Sequence, residues 1–145
     1  MKVGVTFGAW DLLHPGHVAF LQECKLKSDR LIVGLHFNPA FEREDIKNPP
    51  VETVFERFIR LAGVLRDRND SIVPYETEFD LINILAIYDI NVRFIGSDYK
   101  TSPWGITGQA MMDLKNIKME YIDRLHNWSS TSLRLRQKAN GSYVD

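Results

Sequence analysis

Two histidines three residues apart bracket a proline-glycine pair in "DLLHPGHV": His14, Pro15, Gly16 and His17. Imidazoles can donate hydrogen bonds to phosphate oxygens. A proline at the first helical position followed by glycine opens a helix whose first N–H groups favour an anion. Gly8, just upstream, would let the backbone approach a ligand closely. Either histidine alone reads as a cap or a packing residue, but the pair at one strand-to-helix junction is far more specific. Zinc fits less well, since the two supply two ligands and no third is evident. A second constellation lies near the other end, where "DRLHNWSSTSLR" puts Arg124 five residues before Ser129, Ser130 and Thr131. Hydroxyls and N–H groups at a helix start cradle phosphate, and a guanidinium adds a fork of charged donors. Taken alone, "SST" is an ordinary helix cap.

These two stretches need elements that bring them together. Short apolar runs alternate with helix-period stretches, predicting strands at 2–7, 30–37, 71–75, 92–96 and 118–122. Helices are predicted at 16–28, 51–68, 79–90 and 130–140, with a short one at 109–115. In the first helix Val18, Leu21, Cys24 and Leu26 fall roughly on one side, and in the second Val54, Phe58, Leu61 and Leu65 sit at core-facing spacing. Strand, helix, strand, repeated, means parallel crossovers. The expected fold is therefore α/β, a Rossmann-like, doubly wound, five-stranded parallel sheet with helices on both faces. Ligands in such sheets bind beyond the carboxyl ends of the strands, at the switch in topology. The chemistry is expected in the loops after strands 1, 2, 4 and 5.

"TFGAWDLLHPGH" resembles the first signature of the nucleotidyltransferases with an HxGH motif, particularly cytidylyltransferases that read GTFDLLHxGH. The departures are Ala9-Trp10 before Asp11 and the proline between His14 and Gly16. The stretch 124–131 is similar to the family's RTxGISTT, which holds the β- and γ-phosphates, with "LHNW" in place of TxGI. "SSTSLR" is also close to the SSTxIR form of several adenylyltransferases of the same superfamily. Over residues 3–137 the chain is most similar to glycerol-3-phosphate cytidylyltransferases. The resemblance implies transfer of CMP from CTP to a small phosphorylated alcohol, by direct in-line attack and with release of pyrophosphate. An adenylyltransferase using ATP and a phosphorylated sugar or cofactor precursor is the alternative, and a non-catalytic nucleotide-binding module is a third reading.

On that resemblance His14, His17, Lys47 and Arg124 are the catalytic candidates. Thr6, Phe7, Gly8, Asp11, Gly16, Arg57, Gly96, Asp98, Ser129, Ser130 and Thr131 are the nucleotide-binding ones. Asp98, in "GSDYK" with Tyr99 beside it, is placed near the ribose and base. Lys47 belongs to the polar loop 38–50, which also carries Arg43. Asp11 is expected to orient its loop rather than hold metal. Magnesium is expected with the triphosphate and not through protein ligands. His36 and the segment "SPWGITG", with Trp104, receive no firm role.

Bulk composition narrows the partners. The chain has 145 residues, 44% of them hydrophobic, enough for one domain over residues 1–145 with a frayed tail at the last few. With 18 basic and 19 acidic residues the net charge is −1, which argues against a nucleic-acid surface or a polybasic membrane face. Any anion site must then be built locally. Cys24 is the only cysteine, so an intrachain disulfide is excluded. The N-terminal residues lack the basic and long apolar segments of a signal peptide, so a cytoplasmic location is the expectation. The resemblance also implies a homodimer.

Overall fold

The computed structural model describes residues 1–42, 48–66, 69–97 and 105–123. In chain order these form β1 (Val3–Gly8), α1 (Pro15–Leu26), β2 (Arg30–His36), α2 (Val54–Leu65), β3 (Ser71–Tyr75), α3 (Glu78–Ile87), β4 (Val92–Gly96), α4 (Gln109–Lys115) and β5 (Lys118–Ile122). The five strands make one sheet in the order β3-β2-β1-β4-β5, with every pairing parallel. The Rossmann-like α/β expectation is met. β1 is central, and the order reverses direction between it and β4, so a crevice forms beyond the carboxyl ends of those two strands. The helix expected at 130–140 lies outside the described residues.

Two apolar layers flank the sheet. On one face Leu21 and Cys24 of α1 and Leu61 and Leu65 of α2 pack against Leu31, Val33, Leu35, Val92 and Phe94. On the other, Leu81, Ile84 and Leu85 of α3 and Met112 of α4 pack against Val3, Val5, Ile32 and Tyr75. Strand residues alternate between these layers, as the two-residue period of a sheet covered on both faces requires. The Cys24 thiol is fully enclosed in the first layer, and burial pushes its pKa up.

The helix phases differ from the sequence expectation in two places. Leu26 is exposed, because it lies two residues, about 200°, around the helix from buried Cys24. Phe58 is exposed too. The inward stripe of α2 runs through positions 57, 61 and 65, four apart, so the core-facing residue of its first turn is Arg57.

Local chemistry explains where the helices begin and end. Thr53 and Thr77 cap α2 and α3, accepting from the N–H groups of Glu56 and Asp80, whose carboxylates accept in return from the cap backbone. The N–H of Thr53 lowers the Glu56 pKa, and the N–H groups of Glu76 and then Thr77 lower that of Asp80. α3 ends where Tyr88 turns extended, and the Lys115 ammonium donates to the carbonyls of Leu85, Ala86 and Tyr88. No described helix is long and apolar enough to cross a membrane.

Candidate active site

The first turn of α1 is capped by its own histidines. His14 has extended backbone and is the N-cap; its Nδ1 accepts from the N–H groups of Gly16 at 3.1 Å and His17 at 3.3 Å. His17 reciprocates, with Nδ1 3.4 Å from the N–H of His14. The rings stack with centroids 3.8 Å apart and planes 17° from parallel. An imidazole nitrogen that accepts carries no proton, so this hydrogen bonding assigns the donor N–H of each ring to Nε2. Two parallel Nε2 donors, on the far side of each ring from the bonds that fix it, therefore accompany the positive end of α1. That combination suits an oxygen gaining negative charge.

The loop leading to this turn is strained. Trp10 and Leu12 have φ of 54° and 51°, the left-handed region that non-glycine residues avoid at a cost of ~1–3 kcal/mol each. Three sets of contacts hold it. The Trp10 indole donates to the carbonyl of Gly34 at 2.9 Å and meets the His17 ring edge to face at 5.5 Å. Asp11 accepts from the N–H groups of Val51 at 2.8 Å and Glu52 at 3.0 Å, while the Glu52 carboxylate accepts from the N–H of Leu12 at 2.9 Å. The second Glu52 oxygen pairs with Arg60 at 2.7 Å. This reciprocal clasp ties the β1–α1 loop to the approach to α2.

Arg57 is the third tether. Its side chain is only 2% exposed, and it reaches the carbonyls of Ala9, His36 and Phe37 at 2.9, 2.6 and 2.7 Å. Its Nε is shared between the carbonyls of Glu52 and Thr53, at 3.2 and 3.3 Å. Burial lowers the guanidinium pKa, and the nearby Asp11 and Glu52 carboxylates oppose the shift. The resemblance places Arg57 at the nucleotide, and no ligand here tests that contact. The structure shows it holding loop backbone, because the α2 stripe carries it inward onto a ring of carbonyls.

The other candidates fall as follows. Gly8 ends β1 with its Cα side against the Trp10 indole, where a Cβ would sit 3.2 Å from the ring. Thr6 is buried within the sheet, and the Phe7 ring lies on the α3 face against Tyr75 at 5.7 Å. The Gly16 N–H is committed to His14, and Gly96 closes β4 opposite Ile122. His36 ends β2 with its ring packed on Tyr75 at 4.5 Å. Lys47, Asp98, Arg124, Ser129, Ser130 and Thr131 lie outside the described residues, as do Arg43, Tyr99 and Trp104. Glu52 was not foreseen. A carboxylate two residues before a helix carries no local sign that it grips a loop 40 residues away.

The chain matches the model of the cytidylyltransferase-like family over residues 5–136. The chain belongs to this family. It is 31% identical over 133 residues to the bifunctional protein HldE of Nitrobacter winogradskyi, covering 92% of this chain and 26% of that protein. The HldE of Rhodopseudomonas palustris is 31% identical over 142 residues, covering 98% of this chain and 28% of the relative. The chain thus spans about a quarter of the length of these relatives. Among solved structures, a lipopolysaccharide core biosynthesis protein from Thermoplasma volcanium superposes with a TM-score of 0.62 at 19% identity, covering 89% of this chain and 99% of the other. A pantoate-beta-alanine ligase from Francisella tularensis, complexed with beta-gamma ATP and beta-alanine, gives a TM-score of 0.56 at 15% identity over 94% of this chain and 69% of that one. These two share the fold.

Membership in a nucleotidyltransferase family raises the question of metal. Both oxygens of Asp11 and both of Glu52 accept hydrogen bonds, which gives each carboxylate a loop-holding role. Asp11→Asn separates the two roles. An amide oxygen can keep one of the two N–H bonds, but the NH2 faces the other donor, at a cost of ~1–3 kcal/mol. The expected result is a lower melting temperature with an unchanged magnesium concentration for half-maximal activity. A rise of about tenfold in that concentration would make Asp11 a metal ligand instead.

Proposed function

We propose that this family member transfers AMP from ATP to a phosphorylated sugar and releases pyrophosphate. The observation that carries the transfer is the stacked histidine pair, whose Nδ1 atoms are consumed in capping α1, leaving Nε2 as the donor edge of each ring. A phosphate oxygen of the acceptor attacks the α-phosphorus in line. A new P–O bond forms as the bond to the bridging oxygen breaks, and pyrophosphate departs with the electron pair. The attacking oxygen is already an anion, so no base has to remove a proton from it. What the protein must supply is position and preorganised donors for charge that grows on the α-phosphoryl oxygens. His14 and His17 act there, with the N-terminus of α1 behind them. Lys47 closes over the phosphates, and Arg124 with the hydroxyls of residues 129–131 takes the β- and γ-phosphates. Magnesium, held by the phosphates of the triphosphate, neutralises part of their charge when bound.

Three indications favour ATP and a sugar phosphate. "SSTSLR" is similar to the adenylyltransferase form of its motif. A structural neighbour is named for lipopolysaccharide core biosynthesis, a pathway built on sugars, and another was solved with an ATP analogue. The reading with CTP and glycerol-3-phosphate rests on "TFGAWDLLHPGH". Pyrophosphate release decides, measured with magnesium, ATP or CTP, and a panel of sugar phosphates beside glycerol-3-phosphate. Release with ATP and one sugar phosphate is expected. Release confined to CTP and glycerol-3-phosphate would replace the substrates, and nucleotide binding without release from any pair would make the chain a binding module.

A further inference from the structure

Two arginines are buried among the described residues, and they hold very different things. Arg57 spends its guanidinium on backbone carbonyls. Arg93, on β4, is 6% exposed and makes one hydrogen bond among the described residues, from Nη1 to the carbonyl of Thr107 at 2.6 Å. Its Nε is buried with no acceptor among the described residues. No carboxylate among the described residues lies within ion-pair distance of it, while the Phe7 ring lies 4.9 Å from the guanidinium carbon. Glu78 and the phenols of Tyr75 and Tyr121 act on it only through the longer-range field, and burial pushes its pKa down to about 10.

A buried cation with so few partners is an expensive way to fill a core position, and an apolar side chain of similar volume would commonly be as good or better for stability. The cost is accounted for if an anion completes the site. Placement says which anion. Arg93 alternates onto the α3 and α4 face of the sheet, with Phe7 of β1 beneath it, whereas α1 and its histidines pack on the opposite face of that same strand. In-line displacement requires the incoming and departing groups on opposite sides of the phosphorus. With the histidines on the α-phosphoryl oxygens from one face of the β1 end, Arg93 offers a second cationic donor on the other face, where an incoming phosphate can approach.

We propose that Arg93 receives the phosphate monoester of the acceptor substrate. Phe7 and Thr107 set the orientation of the guanidinium, and the N–H groups for which no described residue provides an acceptor present a fork to the dianion. The proposal rests on the transfer reading above but is tested without turnover. Glucose-1-phosphate and inorganic phosphate are titrated into the parent chain and the Arg93→Met variant, with melting temperature and amide chemical shifts as readouts. An α,β-methylene ATP titration forms the second arm. The variant is expected to melt at or above the parent temperature without ligand. Its midpoint for both phosphate probes should rise by about tenfold or more, with the nucleotide midpoint unchanged within about twofold. An unchanged midpoint for the phosphate probes overturns the assignment, as does their failure to bind the parent chain. Loss of both arms together would place the nucleotide, not the acceptor, on Arg93. Should Arg93→Met not fold, Arg93→Lys carries the same test, because it keeps the charge and loses the fork; phosphate binding as tight as the parent's overturns the proposal. A failed pyrophosphate assay leaves these titrations readable, so the two readings fail separately.

Discussion

Replacing His14 with asparagine is expected to lower the rate of pyrophosphate release by about 10²- to 10³-fold and to leave the melting temperature almost where it was. The two effects separate because His14 uses its two nitrogens for different tasks. Nδ1 caps α1 through the N–H groups of Gly16 and His17, and asparagine, one of the best N-cap residues, can take over those bonds. Nε2 has no counterpart in asparagine. A donor aimed at developing charge in a dry site contributes ~2.7–4 kcal/mol to the transition state, and that contribution goes. His14→Ala should show the same rate loss together with a stability loss of ~1 kcal/mol, from the vanished cap. His17→Ala should likewise cost orders of magnitude in turnover, with a smaller loss of stability, since its Nδ1 accepts a single long bond. Steady-state kinetics beside circular-dichroism melting checks all three. If His14→Asn keeps more than about a tenth of the parent rate, the transition-state role is withdrawn and the histidines are caps only.

The second large effect is on stability. Arg57→Met should lower the melting temperature by roughly 10–20 °C, corresponding to about 3–5 kcal/mol for a chain of this size. Removing the guanidinium takes its donors from the carbonyls of Ala9, His36, Phe37 and Glu52 at once, and an unsatisfied buried acceptor costs ~1–3 kcal/mol. Those carbonyls belong to the loop after β1, the end of β2 and the start of α2, so the loss is one of tertiary register. Arg57→Lys should rescue little, because a single ammonium cannot span acceptors arranged around a planar fork. Melting within a few degrees of the parent, together with a large rise in nucleotide KM, would return Arg57 to the ligand contact that the sequence suggested.

The surroundings of Arg57 show where local pattern stops being informative. Strand positions came through within a residue because buried parallel strands are continuous apolar runs, and "RLIVGLH" can hardly be anything else. The described helices came through in place but not wholly in phase. In α2 an arginine and a phenylalanine are adjacent, and hydrophobicity alone assigns the inside to Phe58. The inside belongs to Arg57 because a ring of carbonyls, gathered from three separate segments, waits there. No window of sequence contains that ring. The histidine pair was legible as a helix cap, since the capping is local to four residues. Asp11 was legible in role, as a loop-orienting group, yet its partner Glu52 was not, being 41 residues away. Trp10 stood out in the sequence as a departure from the family motif, but its hold on Gly34 and His17 depends on the left-handed turn that brings the indole back across β2.

Cys24 gives the chain a clock. Its thiol sits at 0% exposure between α1 and the sheet, and its raised pKa keeps it in the unreactive form at any ordinary pH. Alkylating reagents attack thiolates, so modification must wait until α1 leaves the sheet. That departure also dismantles the histidine cap, since the cap is the first turn of the same helix. The rate at which a small reagent labels this one sulfur therefore times the opening of the element that carries the chemistry, with no engineered probe required.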